Sequence, residues 1–155
     1  MIKTYNLSFL NINKIKDFLL TIDTGDHGLL TSGVSTFNFG RPILLYPEMR
    51  FLYLIIKKYV KMYCDSIDVS DFEFINAWFN ITNPGNKLIK HNHGKCGLSG
   101  AFYISANEKS VPLIFPDASI KPYPGLLILF PSYLDHYTEE EIEQRIVISF
   151  NVEFL

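Results

Sequence analysis

Hydrophobic residues recur at steps of three and four in two segments of the first 70 residues, and this spacing predicts two helices. The shorter pattern covers residues 13–22 and the longer one covers residues 47–67. In the longer segment the lysines lie mostly off the apolar stripe, and Pro47 stands in the first turn, where a helix needs no N–H donor. We therefore expect a short helix followed by an amphipathic helix.

After residue 71 the hydrophobic pattern changes to a period of two, which is typical of β-strands. Short strands separated by Gly, Pro and Asn turns are predicted over residues 72–82, 87–93, 100–105, 111–115, 125–130 and 145–154. Antiparallel strands with helices packed outside them favour a jelly-roll or small barrel over an alternating βα arrangement. The pattern therefore predicts a mainly β fold with flanking helices.

The size and composition of the chain indicate one folded domain. Its 155 residues are enough for a core without metal or disulfide staples, and 48% of them are hydrophobic, which excludes a disordered polypeptide. We expect a single domain over residues 1–155, with a helical support region at 1–70 and a jelly-roll core at 71–155.

Charge and cysteine content restrict the partners and the compartment. A formal net charge of −2 provides no broad positive field, so we expect no nucleic-acid partner and no membrane partner. The first 22 residues lack the features of a signal peptide, and Cys64 and Cys96 form no CxxC motif. These observations favour the cytoplasm, with a small-molecule or peptide substrate. A homodimer through the aromatic-rich second helix is a further expectation.

Three of the four histidines follow predicted strands in a way that suggests a metal site. His91 and His93 are two residues apart, so on a strand their side chains share one face. His136 follows the hydrophobic strand at 125–130, and a jelly-roll can bring two such strand ends together. Three neutral imidazoles around one cation would suit Fe, Zn, Ni or Cu. The fourth histidine, His27, is interpreted as a solvated loop residue.

The last predicted strand has one apolar face and one polar face. Arg145, Ser149 and Asn151 alternate with large apolar residues, so the polar side chains share a face inside a core-rich region. A polar interior face indicates a cavity, because buried donors are costly unless a ligand satisfies them. Arg145 would suit a carboxylate, since its guanidinium group donates two parallel hydrogen bonds.

The series HNH at 91–93, SGAFY at 99–103, LFPSYLDH at 129–136 and RIVISFN at 145–151 resembles the Fe(II)- and 2-oxoglutarate-dependent oxygenases. The resemblance covers residues 78–151 and rests on the order and spacing of several motifs. It implies a double-stranded β-helix (a cupin-like jelly-roll), Fe(II) and 2-oxoglutarate as cofactors, and a hydroxylase that converts 2-oxoglutarate to succinate.

The resemblance also implies roles for individual residues. His91, His93 and His136 match the metal ligands, and Arg145 matches the basic residue that binds the distal carboxylate of 2-oxoglutarate. Tyr103 and Asn80 lie on strands that face the cosubstrate in such folds. Most members of the family have Asp or Glu at the position of His93. A three-histidine site, a site completed by Asp135 or Asp117, and a different metal are all compatible with this departure.

Other interpretations of the same residues remain open at this point. A cupin-like three-histidine protein could use Fe, Ni or Zn without 2-oxoglutarate, and a non-enzymatic jelly-roll could bind no metal. Arg145 could pair with Glu141 or Glu143 at the surface, where an ion pair contributes about 0–1 kcal/mol. The acidic run at 139–143 is interpreted as a solvated loop or short helix, Trp78 as a core residue, and Tyr103 and Asn80 as either structural or functional.

Overall fold

The computed structural model describes residues 1–25, 33–37, 41–94 and 97–155. His27 and Cys96 lie outside these residues. Two α-helices and eight strands follow each other along the described chain, with two short 3-10 turns at Ile43–Leu45 and Pro47–Met49. The order is β1 (Lys3–Asn6), α1 (Ile12–Leu19), β2 (Gly33–Ser35), α2 (Arg50–Asp65), β3 (Phe72–Thr82), β4 (Leu98–Ser105), β5 (Leu113–Phe115), β6 (Ala118–Ile120), β7 (Leu126–Pro131) and β8 (Arg145–Phe154).

The larger sheet has six antiparallel strands in the order β1-β7-β4-β8-β3-β2. Strands β5 and β6 form a second, two-stranded sheet, and isolated bridges at His91–His136 and Ile114–Tyr137 lie outside the strands. The mainly β, double-stranded β-helix architecture expected from the sequence is confirmed.

Both faces of the six-stranded sheet are covered, and each face has its own core. Apolar residues on one face pack with the helices α1 and α2, and among them are Phe102, Ile148 and Phe150. Ala101 and Tyr103, on the other face of β4, belong to a second cluster that also includes side chains from the β5–β6 sheet. The candidate site lies on this second face. The described helices include none that is long and apolar enough to cross a membrane.

The helix pattern and most strand patterns predicted the elements closely. Residue Asn11 caps α1 by accepting a hydrogen bond from the Lys14 N–H at 3.1 Å, so the helix starts one residue before the predicted segment. The predicted helix at 47–67 consists of a 3-10 turn followed by α2. Strands β3 and β8 match the predicted ranges 72–82 and 145–154.

The expected strand at 87–93 is wrong. This segment runs beside residues 132–138, but side chains interrupt the backbone ladder between them. The Leu88 N–H donates to the Thr138 hydroxyl at 3.0 Å, and the His93 N–H donates to the Ser132 carbonyl at 2.8 Å. Only His91 and His136 exchange both backbone hydrogen bonds, at 3.1 and 2.8 Å. The histidines therefore sit on an irregular segment that is hydrogen-bonded to residues 132–138 at separate points.

Candidate metal centre

The irregular segment and the loop after β7 bring His91, His93 and His136 together. One ring nitrogen of each histidine lies within 4.8 Å of the corresponding nitrogen of the other two. Three nitrogens bound to one ion at about 2.0–2.2 Å would lie about 2.8–3.8 Å from one another. The three nitrogens thus converge on one point, and a small inward shift of the rings would bring them to the spacing of ligands around one cation.

The carboxylates considered as replacement ligands do not join this group, which among the described residues contains three histidines and no acid. Asp135 is partly exposed, accepts a hydrogen bond from the Asn92 amide at 2.7 Å, and pairs with Lys90 at 3.5 Å. Asp117 is exposed in the turn between β5 and β6. The geometry therefore favours His93 over either carboxylate as the third donor.

Backbone carbonyls orient two of the imidazoles. Nδ1 of His91 lies 2.8 Å from the Ile89 carbonyl, and Nδ1 of His136 lies 3.0 Å from the Leu134 carbonyl. A carbonyl oxygen only accepts, so each Nδ1 carries the proton and each Nε2 has a free lone pair. This tautomer leaves Nε2 available to a metal, and the hydrogen bond fixes the ring orientation.

A polar pair from two strands lies next to the third imidazole. The Ser99 hydroxyl donates to Asn151 Oδ1 at 2.6 Å, and Asn151 Nδ2 is 3.5 Å from Nδ1 of His93. Rotation of the Asn151 amide exchanges its donor and acceptor, and the Ser99 hydroxyl can either donate to the amide oxygen or accept from the amide nitrogen. In the rotated orientation, the Asn151 oxygen can accept a hydrogen bond from the Nδ1–H of a metal-binding His93.

Burial favours the neutral form of two of the imidazoles, those of His91 and His136. His136 is 4% exposed and packs against Phe130 and Phe115, with ring centroids 4.8 and 6.0 Å away. Desolvation lowers the pKa of His136 to about 4, and it also lowers the pKa of His91. Because a metal binds the neutral ring, the cavity favours the binding-competent form of both side chains.

The depressed pKa of His136 predicts a pH dependence of stability for the metal-free protein. Unfolded His136 takes up a proton near pH 6.5, whereas folded His136 does so only near its pKa of about 4. The free energy of unfolding should therefore fall as the pH falls from about 6.5 to 4.5, by about 2 to 3 kcal/mol from this residue. Urea unfolding with chelator present should show a smaller decrease in His136→Leu over the same interval. An equal decrease in both proteins would contradict the attribution of this pH dependence to His136.

The three histidines open into a cavity of about 280 Å³ on the inner face of the large sheet, near the lower end of the roughly 300–1,000 Å³ found for ligand sites. Arg145 lines the same cavity from the first position of β8 and is 2% exposed. Tyr103 and Asn80, the weaker candidates from the sequence, line it as well and are 1% and 5% exposed. All six sequence-derived candidates therefore meet around one cavity.

Arg145 pairs with Glu141 inside the protein and not at its surface. Its Nη1 lies 2.6 Å from Oε1 of Glu141, and the two side chains are 2% and 0% exposed. The alternative of a surface pair with Glu141 or Glu143 is thus right about Glu141 as the partner and wrong about the surface location. The expectation of a solvated acidic run at 139–143 is wrong for Glu141, which is buried. Its backbone carbonyl accepts from the Gly85 N–H and its N–H donates to the Asn86 carbonyl.

Several buried polar atoms at the Arg145 end of the cavity form no hydrogen bond within the described part of the chain. They are Nε and Nη1 of Arg145, Oε1 of Glu141, Oδ1 of Asn80 and Oγ1 of Thr82. Arg145 and Glu141 therefore compensate each other's charge without an aligned hydrogen bond. Buried donors without partners are costly, so the guanidinium fits a further anionic ligand such as a carboxylate.

Comparison with solved structures identifies proteins with a similar fold. A viral collagen prolyl hydroxylase from Paramecium Bursaria Chlorella virus-1, in complex with 2-oxoglutarate, superposes with a TM-score of 0.72 over 99% of this chain and 96% of that chain, at 15% identity. A Pseudomonas putida prolyl-4-hydroxylase gives a TM-score of 0.71 over 99% and 92% at 12% identity. HygX from Streptomyces hygroscopicus with nickel, 2-oxoglutarate and hygromycin B bound gives 0.72 over 98% and 82% at 13% identity.

The chain has the fold of the 2-oxoglutarate oxygenases. No model of a known protein family matches the sequence, and no curated protein matches it either. The shared 2-oxoglutarate oxygenase fold agrees with the fold that the motif series at residues 78–151 implied.

Two contributors to the cavity were not recognised as such from the sequence. Trp78, interpreted as a core residue, is 4% exposed but lines the cavity and lies 5.8 Å from the ring of His93. Thr82 lines the cavity beside its register partner Arg145. Trp78, Asn80 and Thr82 alternate along β3 with residues that face the core. The period of two therefore predicted that they share a face, but it did not show that this face lines a cavity.

Proposed function

We propose that this protein is an Fe(II)- and 2-oxoglutarate-dependent oxygenase that hydroxylates a small-molecule or peptide substrate. The observation that carries the proposal is one cavity with three convergent imidazoles and a buried guanidinium whose Nε has no hydrogen-bond partner among the described residues. The first feature suits a divalent transition metal, and the second suits the distal carboxylate of 2-oxoglutarate.

His91, His93 and His136 would hold the iron through ring nitrogens, with the carbonyls of Ile89 and Leu134 fixing two of the rings. Arg145 would bind and orient the distal carboxylate of 2-oxoglutarate through its unpartnered donors. When bound, the iron and 2-oxoglutarate supply the oxidising chemistry: O₂ and 2-oxoglutarate are consumed, substrate C–H becomes C–OH, and succinate and CO₂ are released. The chain contributes orientation and exclusion of water.

The buried aromatic residues around the cavity serve the exclusion of water. Phe130 and Phe115 cover one side of His136, and Trp78 lies beside His93. The phenyl rings carry no hydrogen-bonding group, and the buried Trp78 indole N–H has no hydrogen-bond partner among the described residues. A donor at that place could bind a substrate oxygen, which supports a polar substrate without identifying it.

The test is an anaerobic titration of the protein with Fe(II), followed by 2-oxoglutarate. We expect about one Fe(II) per chain, and then a weak visible charge-transfer band when the keto acid chelates the metal. Succinate lacks the keto acid and serves as a matched control that should produce no band. Stoichiometric metal without a band would contradict the proposal.

A second function is supported by the composition of the histidine group, which includes no carboxylate from the described part of the chain. Three histidines and a water are a common catalytic zinc site, and such a site activates the water near neutral pH. A cupin-like metalloprotein of this kind would bind its metal tightly and ignore 2-oxoglutarate. The same titration therefore separates the two functions, and the unpartnered donors of Arg145 favour the oxygenase.

A further inference from the structure

Glu141 does not line the cavity itself, but its carboxylate contacts Arg145, which does. Its Oε1 is 2.6 Å from Arg145 Nη1, yet neither atom has an aligned hydrogen bond among the described residues. The other carboxylate oxygen, Oε2, accepts a long hydrogen bond of 3.4 Å from the Val111 N–H. The contact therefore compensates the charge of the Arg145 guanidinium more than it fixes the orientation of that group.

The backbone holds Glu141 in this position. Its carbonyl accepts from the Gly85 N–H at 2.7 Å, and its N–H donates to the Asn86 carbonyl at 2.8 Å. Because the side chain is fully buried, its charge is weakly screened by solvent and acts strongly on the guanidinium. An anion that binds Arg145 must do so beside this fixed negative charge.

We propose that Glu141 is the residue that limits the affinity of the cavity for its dicarboxylate cosubstrate. This inference rests on the proposed function. Glu141 neutralises Arg145 through its contact with Nη1, while Nε has no hydrogen-bond partner among the described residues, so an incoming carboxylate gains a hydrogen bond but only part of the guanidinium charge.

The charge balance of the site explains why such a carboxylate belongs there. Three neutral imidazoles add no charge to a divalent ion, and Glu141 cancels Arg145, so the two charges of the ion match the two carboxylates of 2-oxoglutarate. A cavity with Arg145 alone would carry an excess positive charge and would hold any dicarboxylate, including the succinate product, more tightly. Glu141 thus favours release of the succinate product over its retention in the cavity.

The experiment compares wild type with Glu141→Gln, which preserves shape and removes the charge. With Fe(II) bound and O₂ absent, 2-oxoglutarate should bind the variant at least about tenfold more tightly, and succinate should gain by a similar factor. A keto acid without the distal carboxylate, 2-oxobutyrate, should gain much less because it does not reach Arg145. Glu143→Gln is the matched control, since Glu143 is 40% exposed and pairs with Lys109, and it should change none of these affinities.

The outcomes separate the inference from the function on which it rests. Binding of 2-oxoglutarate to wild type with equal or weaker binding to Glu141→Gln would overturn the inference alone. Absence of 2-oxoglutarate binding in both proteins would overturn the proposed function together with it. If Glu141→Gln does not fold, Glu141→Asp withdraws the carboxylate by one methylene and should shift the affinities in the same direction by a smaller factor; no shift would again overturn the inference.

Discussion

The His136→Ala variant should bind Fe(II) at least about a hundredfold more weakly than wild type, because loss of a ligand exceeds the 10–100-fold cost of losing an outer hydrogen bond to one. His136 is the most buried of the three histidines, and its Nδ1 hydrogen bond to the Leu134 carbonyl fixes the ring. No neighbouring carboxylate replaces it, since the described residues contain only the three histidines in this group. Anaerobic titration with Fe(II) and metal analysis after gel filtration would measure the loss.

Two controls make this result specific. His27→Ala removes the histidine that the sequence assigns to a solvated loop, and it should leave the Fe(II) affinity unchanged. His93→Asp replaces the third donor by the carboxylate typical of the family that the motifs resemble, and it should retain metal binding where His93→Ala loses it. Wild-type metal affinity in His136→Ala would show that the three imidazoles do not share an ion.

The sequence predicted β3 and β8 in full because each strand places apolar residues on one face over a long run. In β8, Ile146, Ile148 and Phe150 face the helices, while Arg145 lines the cavity. The alternation therefore predicted both the strand and the interior position of the arginine. The edge strands β1 and β2 have only four and three residues, and so short a run shows no period.

The geometry around the histidines was predicted for a partly wrong reason. A regular strand was expected to put His91 and His93 on one face, but the segment is irregular, and the bridge to His136 together with hydrogen bonds of Leu88 and His93 to residues 132–138 sets its position. The convergence comes from contacts between residues that are far apart in the sequence, which a local pattern does not contain. The ordered series of motifs, and not the strand period, was the stronger signal.

Glu141 shows most clearly what local sequence lacks. Within the acidic run it is indistinguishable from Glu140 and Glu143, yet it is 2% exposed while its apolar neighbour Ile142 is 60% exposed. Its burial follows from hydrogen bonds to Gly85 and Asn86 and from the charge of Arg145. Residue type alone predicts an exposed Glu141 and a buried Ile142, since a carboxylate is rarely buried unless it is paired.

Arg145→Ala should lower the stability of the protein as well as its affinity for 2-oxoglutarate. Removing the guanidinium leaves Glu141 buried without its counter-charge, and breaking a buried pair in this way costs about 3–5 kcal/mol. Burial already raises the pKa of Glu141, with Arg145 opposing that effect, so the variant should also protonate Glu141 more readily. Urea unfolding at neutral pH would measure the loss of stability.

A variant that keeps the interior neutral isolates the role of Arg145 in binding. Arg145→Gln combined with Glu141→Gln leaves no unpaired charge, so it should fold. Relative to Glu141→Gln alone, it should bind 2-oxoglutarate at least about thirtyfold more weakly, which corresponds to loss of about 2 kcal/mol from a buried charged hydrogen bond. Fe(II) binding should stay within a few-fold of wild type, because Arg145 is not among the grouped metal donors. Equal losses of metal and 2-oxoglutarate would mean that Arg145 supports the cavity as a whole instead of binding the distal carboxylate.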